Sequence, residues 1–567
     1  NATSQGDTLE IAFEDGTEAS GLRAFTLVSG SADKHYIFEA MGGGVCLIDY
    51  DQDGLLDVYL VNGGTVESFR NGSDSGLRNA LFRNQGDRTF RDVTQETGVA
   101  GNGSWGYGCS VADYNNDGWP DLYTTNYGPN ILYRNLGNGR FEDATITAGV
   151  DDSRWSTGSA WADFNGDGSL DLFVANYIEL DRTNLPEPGS TEFGTMAGGR
   201  GCLHEGVPVM CGPSGLPGAG DTLFRNNSDG TFTDVSQEAG VSDTEEYYGL
   251  GAMWCDFDDD GRPDLYVAND TNPNYLYRNR GDGSFEETGF LSGVAVSAQG
   301  EEQSGMGVAC GDYENKGEVA VYVTNFADDT NTLYRNEGGM NFLDTTFRAG
   351  LGPATIPYVG WGTFFFDVDN DGWLDLFVVN GHVYPQIDTS AGSQRYRQRS
   401  QLFHNLGTGR FQEVAKDGLG VPPAVSRGAV WGDLDNDGAL DIIITNLDEP
   451  PTLLWNRVRP KLNFLTLTLT GTESNRDAVG ARVRLRTGSQ WQLREVHSGD
   501  SYLGSHDPRL HFGLGKAAQV DEIQIRWPSG ATSVLRDVPA NQFITLREPT
   551  SESAATPVAP VHEEIKQ

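Results

Sequence analysis

The chain has 567 residues, 74 of them glycine, and a formal net charge of −42. That balance excludes nucleic acid and anionic lipid as partners, since both require basic patches, and no apolar run reaches the roughly 20 residues of a membrane span. Six cysteines in such a length exclude a disulfide scaffold.

Opening at Asn1 without an apolar leader is what a processed, exported chain shows, or an engineered start. The first phrase of note is Phe13-Glu-Asp15. It returns as Phe90-Arg-Asp92, Phe141-Glu-Asp143, Phe232-Thr-Asp234, Phe285-Glu-Glu287, Phe342-Leu-Asp344 and Phe411-Gln-Glu413. Between these copies runs a fixed order of elements. A Gly-rich aromatic strand comes first, such as Trp105-Gly-Tyr-Gly108. A nine-residue acidic loop follows, then an apolar strand such as Asp264-Leu-Tyr-Val-Ala-Asn269. A third strand comes next, such as Leu276-Tyr-Arg-Asn279, and a Gly-containing turn leads back to the Phe-x-Asp phrase.

The acidic loop is the chemical core of the repeat. Its clearest copy is Asp367-Val-Asp-Asn-Asp-Gly-Trp-Leu-Asp375. Carboxylates at positions one, three, five and nine can converge on one hard cation, which takes six to eight oxygen ligands. Gly at position six permits the positive φ of a tight return. Without a cation the carboxylates repel one another. The candidate calcium ligands are Asp49, Asp51, Asp53 and Asp57; Asp113, Asn115, Asp117 and Asp121; Asp163, Asn165, Asp167 and Asp171; Asp256, Asp258, Asp260 and Asp264; Asp367, Asp369, Asp371 and Asp375; and Asp433, Asp435, Asp437 and Asp441. A broken copy, Asp312-Tyr-Glu-Asn-Lys-Gly-Glu-Val-Ala320, carries Lys316 at five and Ala320 at nine. No calcium is expected there; Lys316 supplies the counter-charge to Asp312 or Glu314. About six Ca2+ are therefore expected, with a mainly structural role, bringing the charge from −42 to about −30.

Repeated four-stranded units are the signature of a β-propeller. The last third strand, Leu453-Leu-Trp-Asn456, has no Phe-x-Asp strand after it, and Phe13-Glu-Asp15 has no third strand before it. The N-terminal strand is thus expected to complete the last blade. The fold class is all-β: a seven-bladed propeller over residues 1–459, closed by the N-terminal strand, and a separate β domain over 460–547. Residues 548–567 are Pro/Ala/Glu-rich and are expected to form a disordered tail or tether. Insertions at 178–220 and 381–400 interrupt the rhythm; the second carries His382 and the basic Arg395, Arg397 and Arg399. Loops of this length are candidate functional surfaces.

Cys202 and Cys211 are expected to pair across the first insertion. Cys46, Cys109, Cys255 and Cys310 each precede a loop on an apolar strand and are expected to be buried small hydrophobes, with pairing between neighbouring blades as the alternative. Five tripeptides match the N-glycosylation pattern, at Asn1, Asn71, Asn102, Asn226 and Asn269. His382, His497, His506 and His511 are the catalytic candidates, but each reads first as a hydrogen-bonded surface or core histidine. No nucleophile elbow or phosphate loop is present.

The loop with its Asp-Leu-Tyr-Val-Ala-Asn strand resembles the FG-GAP/VCBS repeats of integrin-type propellers. The run Val479-Gly-Ala-Arg-Val483, Gly499-Asp-Ser-Tyr-Leu503, His511-Phe-Gly-Leu-Gly515 and Trp527-Pro-Ser-Gly530 resembles the ASPIC/UnbV domain. The order of the two is similar to that of the cartilage acidic protein family and its bacterial homologues. The resemblance implies a calcium-stabilised, exported propeller, secreted, extracellular or periplasmic, that acts as a protein- or glycan-binding or adhesion module and has no established catalytic activity. The alternatives are a structural subunit of a self-associating surface or filament assembly, and an accessory subunit of an extracytoplasmic enzyme.

Overall fold

A computed structural model describes residues 10–185, 202–414, 416 and 419–550. The fold is all-β, and among the described residues seven sheets share one plan: four antiparallel strands, each paired to the next in the repeat. In the first sheet these are Val45–Ile48, Asp57–Leu60, Ala80–Asn84 and Phe90–Asp92. In the last they are Ser426–Gly432, Asp441–Asn446 and Thr452–Asn456, and the fourth strand is Phe13–Asp15 from the other end of the chain, with Phe13 opposite Asn456.

Six of the seven Phe-x-Asp phrases, all but Phe411-Gln-Glu413, end their sheet by a local capping device. Asp92 Oδ1 accepts from the Thr94 amide and hydroxyl at 2.9 and 2.6 Å, and Thr94 Oγ1 accepts from Leu81 N at 2.9 Å. The side chain thus satisfies a first-turn amide. One helical turn, Thr94–Thr97, follows and stops at Gly98, whose φ of +86° only glycine adopts cheaply.

The glycines of the first strands have a separate purpose. A Cβ on Gly307 would lie 2.1 Å from Trp361 O in the next sheet, and one on Gly428 would lie 2.3 Å from Gly43 O. Gly44, Gly108, Gly158, Gly251 and Gly362 meet the following sheet in the same way. The first strands pack side by side in order, and Ser426–Gly432 packs against Val45–Ile48.

A second link joins the sheets at their loop ends. The Asn that closes each third strand donates its amide to the carbonyl of loop position two in the preceding sheet. Asn135 reaches Tyr50 O (2.9 Å), Asn226 reaches Tyr114 O (2.8 Å) and Asn279 reaches Phe164 O (2.8 Å). Asn336, Asn405 and Asn456 reach Phe257, Tyr313 and Val368 at 2.8 Å. Asn84 of the first sheet reaches back to Leu434 O of the last at 2.8 Å.

The C-terminal region forms a three-stranded sheet ordered Leu510–Gly515, Asn463–Thr470, Gln542–Arg547 and a four-stranded sheet ordered Gln490–Glu495, Arg482–Thr487, Gln519–Arg526, Thr532–Pro539. It is not separate from the seven sheets in its packing. Its loop from His497 to Ser505 meets the first strand of all seven sheets. His497 Nδ1 lies 3.0 Å from Trp254 O; Trp161 N donates to Ser498 O at 2.9 Å and Cys109 N to Leu503 O at 3.4 Å. Ser501 pairs backbone to backbone with Val308, accepts from Thr363 N at 3.0 Å and donates to Ala429 O at 3.2 Å. Gly504 and Ser505 extend the first sheet in parallel beside Val45 and Cys46. A segment touching every first strand runs along the axis those strands share. The Gly499-Asp-Ser-Tyr-Leu503 motif is this plug, with Tyr502 buried against Trp361 at 4.9 Å between ring centroids.

The ordered chain also extends past residue 547. The Glu548 carboxylate is buried and accepts from the Thr472, Glu473 and Ser474 amides at 2.7, 2.9 and 2.9 Å. The rest of the expected tail, from residue 551, lies outside the described residues.

Three disulfides form: Cys202–Cys211, Cys46–Cys109 and Cys255–Cys310. The first is as expected. The other four cysteines are not merely small core residues; the first strands of neighbouring sheets lie close enough to couple them. Among the described acceptor asparagines, Asn226 and Asn269 are buried with their amides committed to backbone carbonyls, so only Asn71 and Asn102 are exposed to modification.

Candidate metal centres

The acidic loops are built from the backbone outward. In each, the carboxylate at position one accepts the amides of positions five and six. Asp49 takes Asp53 N and Gly54 N at 3.0 and 3.0 Å; Asp433 takes Asp437 N and Gly438 N at 3.0 and 2.9 Å. Position six is glycine with φ between +83° and +93° in all seven loops. Position four is also left-handed where it is not glycine, at Gln52, Asn116, Asp259, Asn315, Asn370 and Asn436. The Asn/Asp preference there was a readable signal, since these residues tolerate that region.

Position nine serves the backbone too. Asp57 Oδ1 accepts from Asn84 N at 2.8 Å, and the same bond recurs from Asn135 to Asp121, Asn226 to Asp171, Asn279 to Asp264, Asn405 to Asp375 and Asn456 to Asp441. The Asn of the third strand therefore donates from its side chain to the preceding sheet and from its amide to its own loop, which sequence reasoning left unassigned although the residue recurs seven times.

Ligand atoms converge where the spacing required. Carboxylate oxygens of Asp49, Asp51 and Asp53 lie within 4.8 Å of one another, as do those of Asp256, Asp258 and Asp260 and those of Asp367, Asp369 and Asp371; Asp369 and Asp375 form a further such group with His404. Several of these oxygens are buried without a hydrogen-bond partner: Asp51 Oδ1, Asp258 Oδ1, Asp369 Oδ2 and Asp435 Oδ1 at position three, and Asp121 Oδ2 at position nine. A buried, unpartnered carboxylate oxygen is costly. An all-oxygen donor set with free lone pairs aimed inward fits a hard divalent cation.

The charge balance points the same way. Burial lifts the Asp49 and Asp163 carboxyls to about 6 and those of Asp113, Asp371 and Asp433 to about 7, and neighbouring carboxylates add to the rise. The chain offers partial relief from its own cations. Arg83, in the Leu-Phe-Arg-Asn phrase, sits 2.8 Å from Asp51 and 2.9 Å from Asp53, and Arg278 sits 3.0 Å from Asp258. In the sixth sheet His404 takes this place, 3.0 Å from Asp375. In the fifth loop Lys316 Nζ pairs with Glu314 at 3.0 Å.

The C-terminal region packs onto these loops. Arg482 and Arg526 pair with Asp256, Arg476 N donates to Asn116 Oδ1 at 2.7 Å, and Arg509 bonds Asn436 Oδ1 at 2.8 Å. His511, a catalytic candidate by sequence, is a packing residue here: its ring nitrogens lie 3.0 Å from Thr466 Oγ1 and 2.6 Å from Asn370 Oδ1. His506 Nε2 sits 3.0 Å from Asp500.

The two insertions, in contrast, come together away from the loops. His204 Nε2 and His382 Nε2 lie 2.8 and 3.0 Å from Gln394 Oε1, and Ser390 Oγ donates to Glu205 at 2.7 Å. Phe326 and Tyr384 pack on both histidine rings. Burial holds the His382 imidazole neutral, down to about 3. Arg427, fully buried beneath, lies 4.1 Å from the Trp361 ring and donates to the carbonyls of Ala40, Gly381, Ser426 and His382. The basic patch is largely spent: Arg399 pairs with Glu413 at 2.6 Å and Arg397 with Glu449.

Repeated four-stranded antiparallel sheets whose hairpins carry acidic loops define a β-propeller. The FG-GAP-like repeat model matches residues 49–124, 113–174, 214–267, 256–323 and 388–444, more than half of the chain, and the ASPIC and UnbV model matches residues 471–553. The chain belongs to the FG-GAP-like repeat family and carries an ASPIC/UnbV domain. It is 28% identical to cartilage acidic protein 1 of Homo sapiens over 347 residues, covering 58% of this chain and 48% of that protein. Against the Mus musculus protein the figures are 27%, 58% and 49%. The chain spans about half the length of the curated relatives it matches. Among solved structures, the BP39L lectin from Burkholderia pseudomallei matches with a TM-score of 0.44 at 9% identity, over 74% of this chain and 99% of the lectin. A lectin of Agrocybe aegerita matches at 0.36 and 16%, over 72% and 86%.

Proposed function

We propose that this protein is an exported, calcium-loaded β-propeller of seven blades, closed by its N-terminal strand, that binds an extracellular protein or glycan. The observation that carries the calcium reading is the set of buried position-three oxygens without partners, each beside further carboxylates of its loop. Support for closure comes from Phe13–Asp15 beside Thr452–Asn456 and from the Asn84 bond to Leu434. Three disulfides suit an oxidising compartment, and among the described residues no helix is long and apolar enough to cross a membrane.

Calcium here is a structural ion. It offsets the loop charge and holds each hairpin, and the fifth loop holds itself with Lys316. Partner binding falls to the insertion surface, because the C-terminal region occupies part of the loop surface. Half-buried His204, Phe326 and Tyr384 offer the aromatic and polar mixture that sugars and peptides use. A glycan array and a pull-down from extracellular fluid, each with calcium and with EGTA, test the reading. Binding lost in EGTA and weakened by Tyr384→Ala supports it; binding indifferent to both contradicts it.

A further inference from the structure

The two disulfides between sheets are unlike one another. Cys46 and Cys109 are fully buried in an apolar cluster with Ile48, Leu81 and Val99. Cys310 is half-buried, and with Cys255 it lines a cavity of about 100 Å³ between the ring and the C-terminal region, shared with His497, Asp500 and His506. That volume holds several water molecules.

His497 is oriented toward the sulfurs. Its Nδ1 lies 3.0 Å from Trp254 O. A carbonyl only accepts, so the imidazole proton sits on Nδ1. Nε2 therefore carries a bare lone pair, and it lies 3.8 Å from Cys310 Sγ. The two sulfurs and one imidazole nitrogen lie within 4.8 Å of one another. Ligands around one tetrahedral zinc, at about 2.3 Å for sulfur and about 2.0 Å for nitrogen, are separated by less than that. A backbone carbonyl holding the far N–H of a ligating histidine is the usual supporting contact of such a site.

We propose that Cys255, Cys310 and His497 form a redox-gated site for a thiophilic cation, zinc in the first instance. In the oxidised chain the sulfurs are spent on each other. A dithiol reductant gives two electrons and two protons to the S–S bond and leaves as its own cyclic disulfide, while Cys255 and Cys310 become thiols. Zn2+ then displaces both thiol protons to solvent and takes two thiolates and His497 Nε2 as ligands. The fourth position faces the cavity and takes water. This site is distinct from the acidic loops in ligand type: sulfur and nitrogen select a softer cation than carboxylate oxygen does.

The test uses the full chain with Cys202→Ser and Cys211→Ser, removing the insertion's own dithiol, in saturating calcium. The protein is reduced with dithiothreitol, desalted without air and titrated with Co2+ alone, then with Zn2+. The expected result is one Co2+ per chain with a thiolate charge-transfer band and tetrahedral visible bands, bleached by one Zn2+. His497→Ala weakens binding about tenfold or more, and adding Cys255→Ser with Cys310→Ser abolishes the band. No band on reduction, a band indifferent to His497→Ala, a band that survives loss of Cys255 and Cys310, or unfolding of the reduced chain before metal is added each overturns the proposal.

Discussion

The fifth and sixth acidic loops share a backbone and differ in charge. Asp312 accepts the amides of Lys316 and Gly317 at 2.9 and 2.7 Å, and Asp367 accepts those of Asp371 and Gly372 at 3.1 and 2.8 Å. Asn315 and Asn370 have φ of +53° and +62°, and Gly317 and Gly372 +86° and +90°. Beyond that the two part. The sixth loop carries Asp371 and Asp375 where the fifth carries Lys316 and Ala320. Asp375 accepts from Asn405 N at 2.7 Å and Val368 N at 3.0 Å, bonds that a methyl group at 320 cannot make. The strand Ala320–Val323 still forms and still pairs with Val308–Gly311 and Thr332–Asn336. The amides held by position one thus shape both loops alike, while the carboxylates at positions five and nine are present only in the sixth.

This separation predicts unequal costs for equal substitutions. Asp312→Ala leaves two amides unpaired and is expected to destabilise by about 2–3 kcal/mol. Asp367→Ala does the same and also forfeits a cation, worth about 2.7 kcal/mol at 100-fold excess over Kd, for a total of about 5 kcal/mol. Denaturant unfolding in calcium measures the gap, and in EGTA the two variants converge. A gap that persists in EGTA breaks the comparison.

A smaller effect separates the bridging asparagines. Asn405→Ala unpairs Tyr313 O and Leu374 O and is expected to cost about 2–3 kcal/mol. Asn336→Ala removes the bond to Phe257 O and is expected to cost about 1–2 kcal/mol. Equal losses in paired urea titrations would show that the bond from Asn405 to Leu374 O adds nothing to stability.

The smallest change is a gain. Lys316→Asp with Ala320→Asp restores the fifth carboxylate set on a backbone already shaped for it. The expected outcome is one more bound calcium and about 1–2 kcal/mol of added stability in saturating calcium, reversed to a loss in EGTA because the new charges then repel. Calorimetric titration reads the added site; no added heat would mean that the fifth loop is closed to a cation for another reason.

Much of this was legible in the sequence because the repeat is local. Strand order, the acidic loop and the orphan strand at Phe13 follow from spacing alone. The asparagines and glycines between sheets were visible as letters, but their partners lie in the neighbouring unit: Gly428 against Gly43, Asn84 against Leu434. The pairing of Cys255 with Cys310 was readable only as the alternative for the same reason, since the two are 55 residues apart in the chain but adjacent across the sheets. The plug was not legible. Gly499-Asp-Ser-Tyr-Leu503 has no period, and its contacts fall on strands from different sheets far apart in the chain. The meeting of the insertions at His204, His382 and Gln394 was hidden likewise.

The most direct test of the account is a calcium count. The wild-type chain is dialysed to equilibrium in saturating calcium, and protein-bound ions are measured by atomic emission alongside Lys316→Asp/Ala320→Asp and Asp371→Lys/Asp375→Ala. About six ions are expected on the wild type, one more on the first variant and one fewer on the second. No bound calcium on the wild type, or a count that ignores both substitutions, contradicts it.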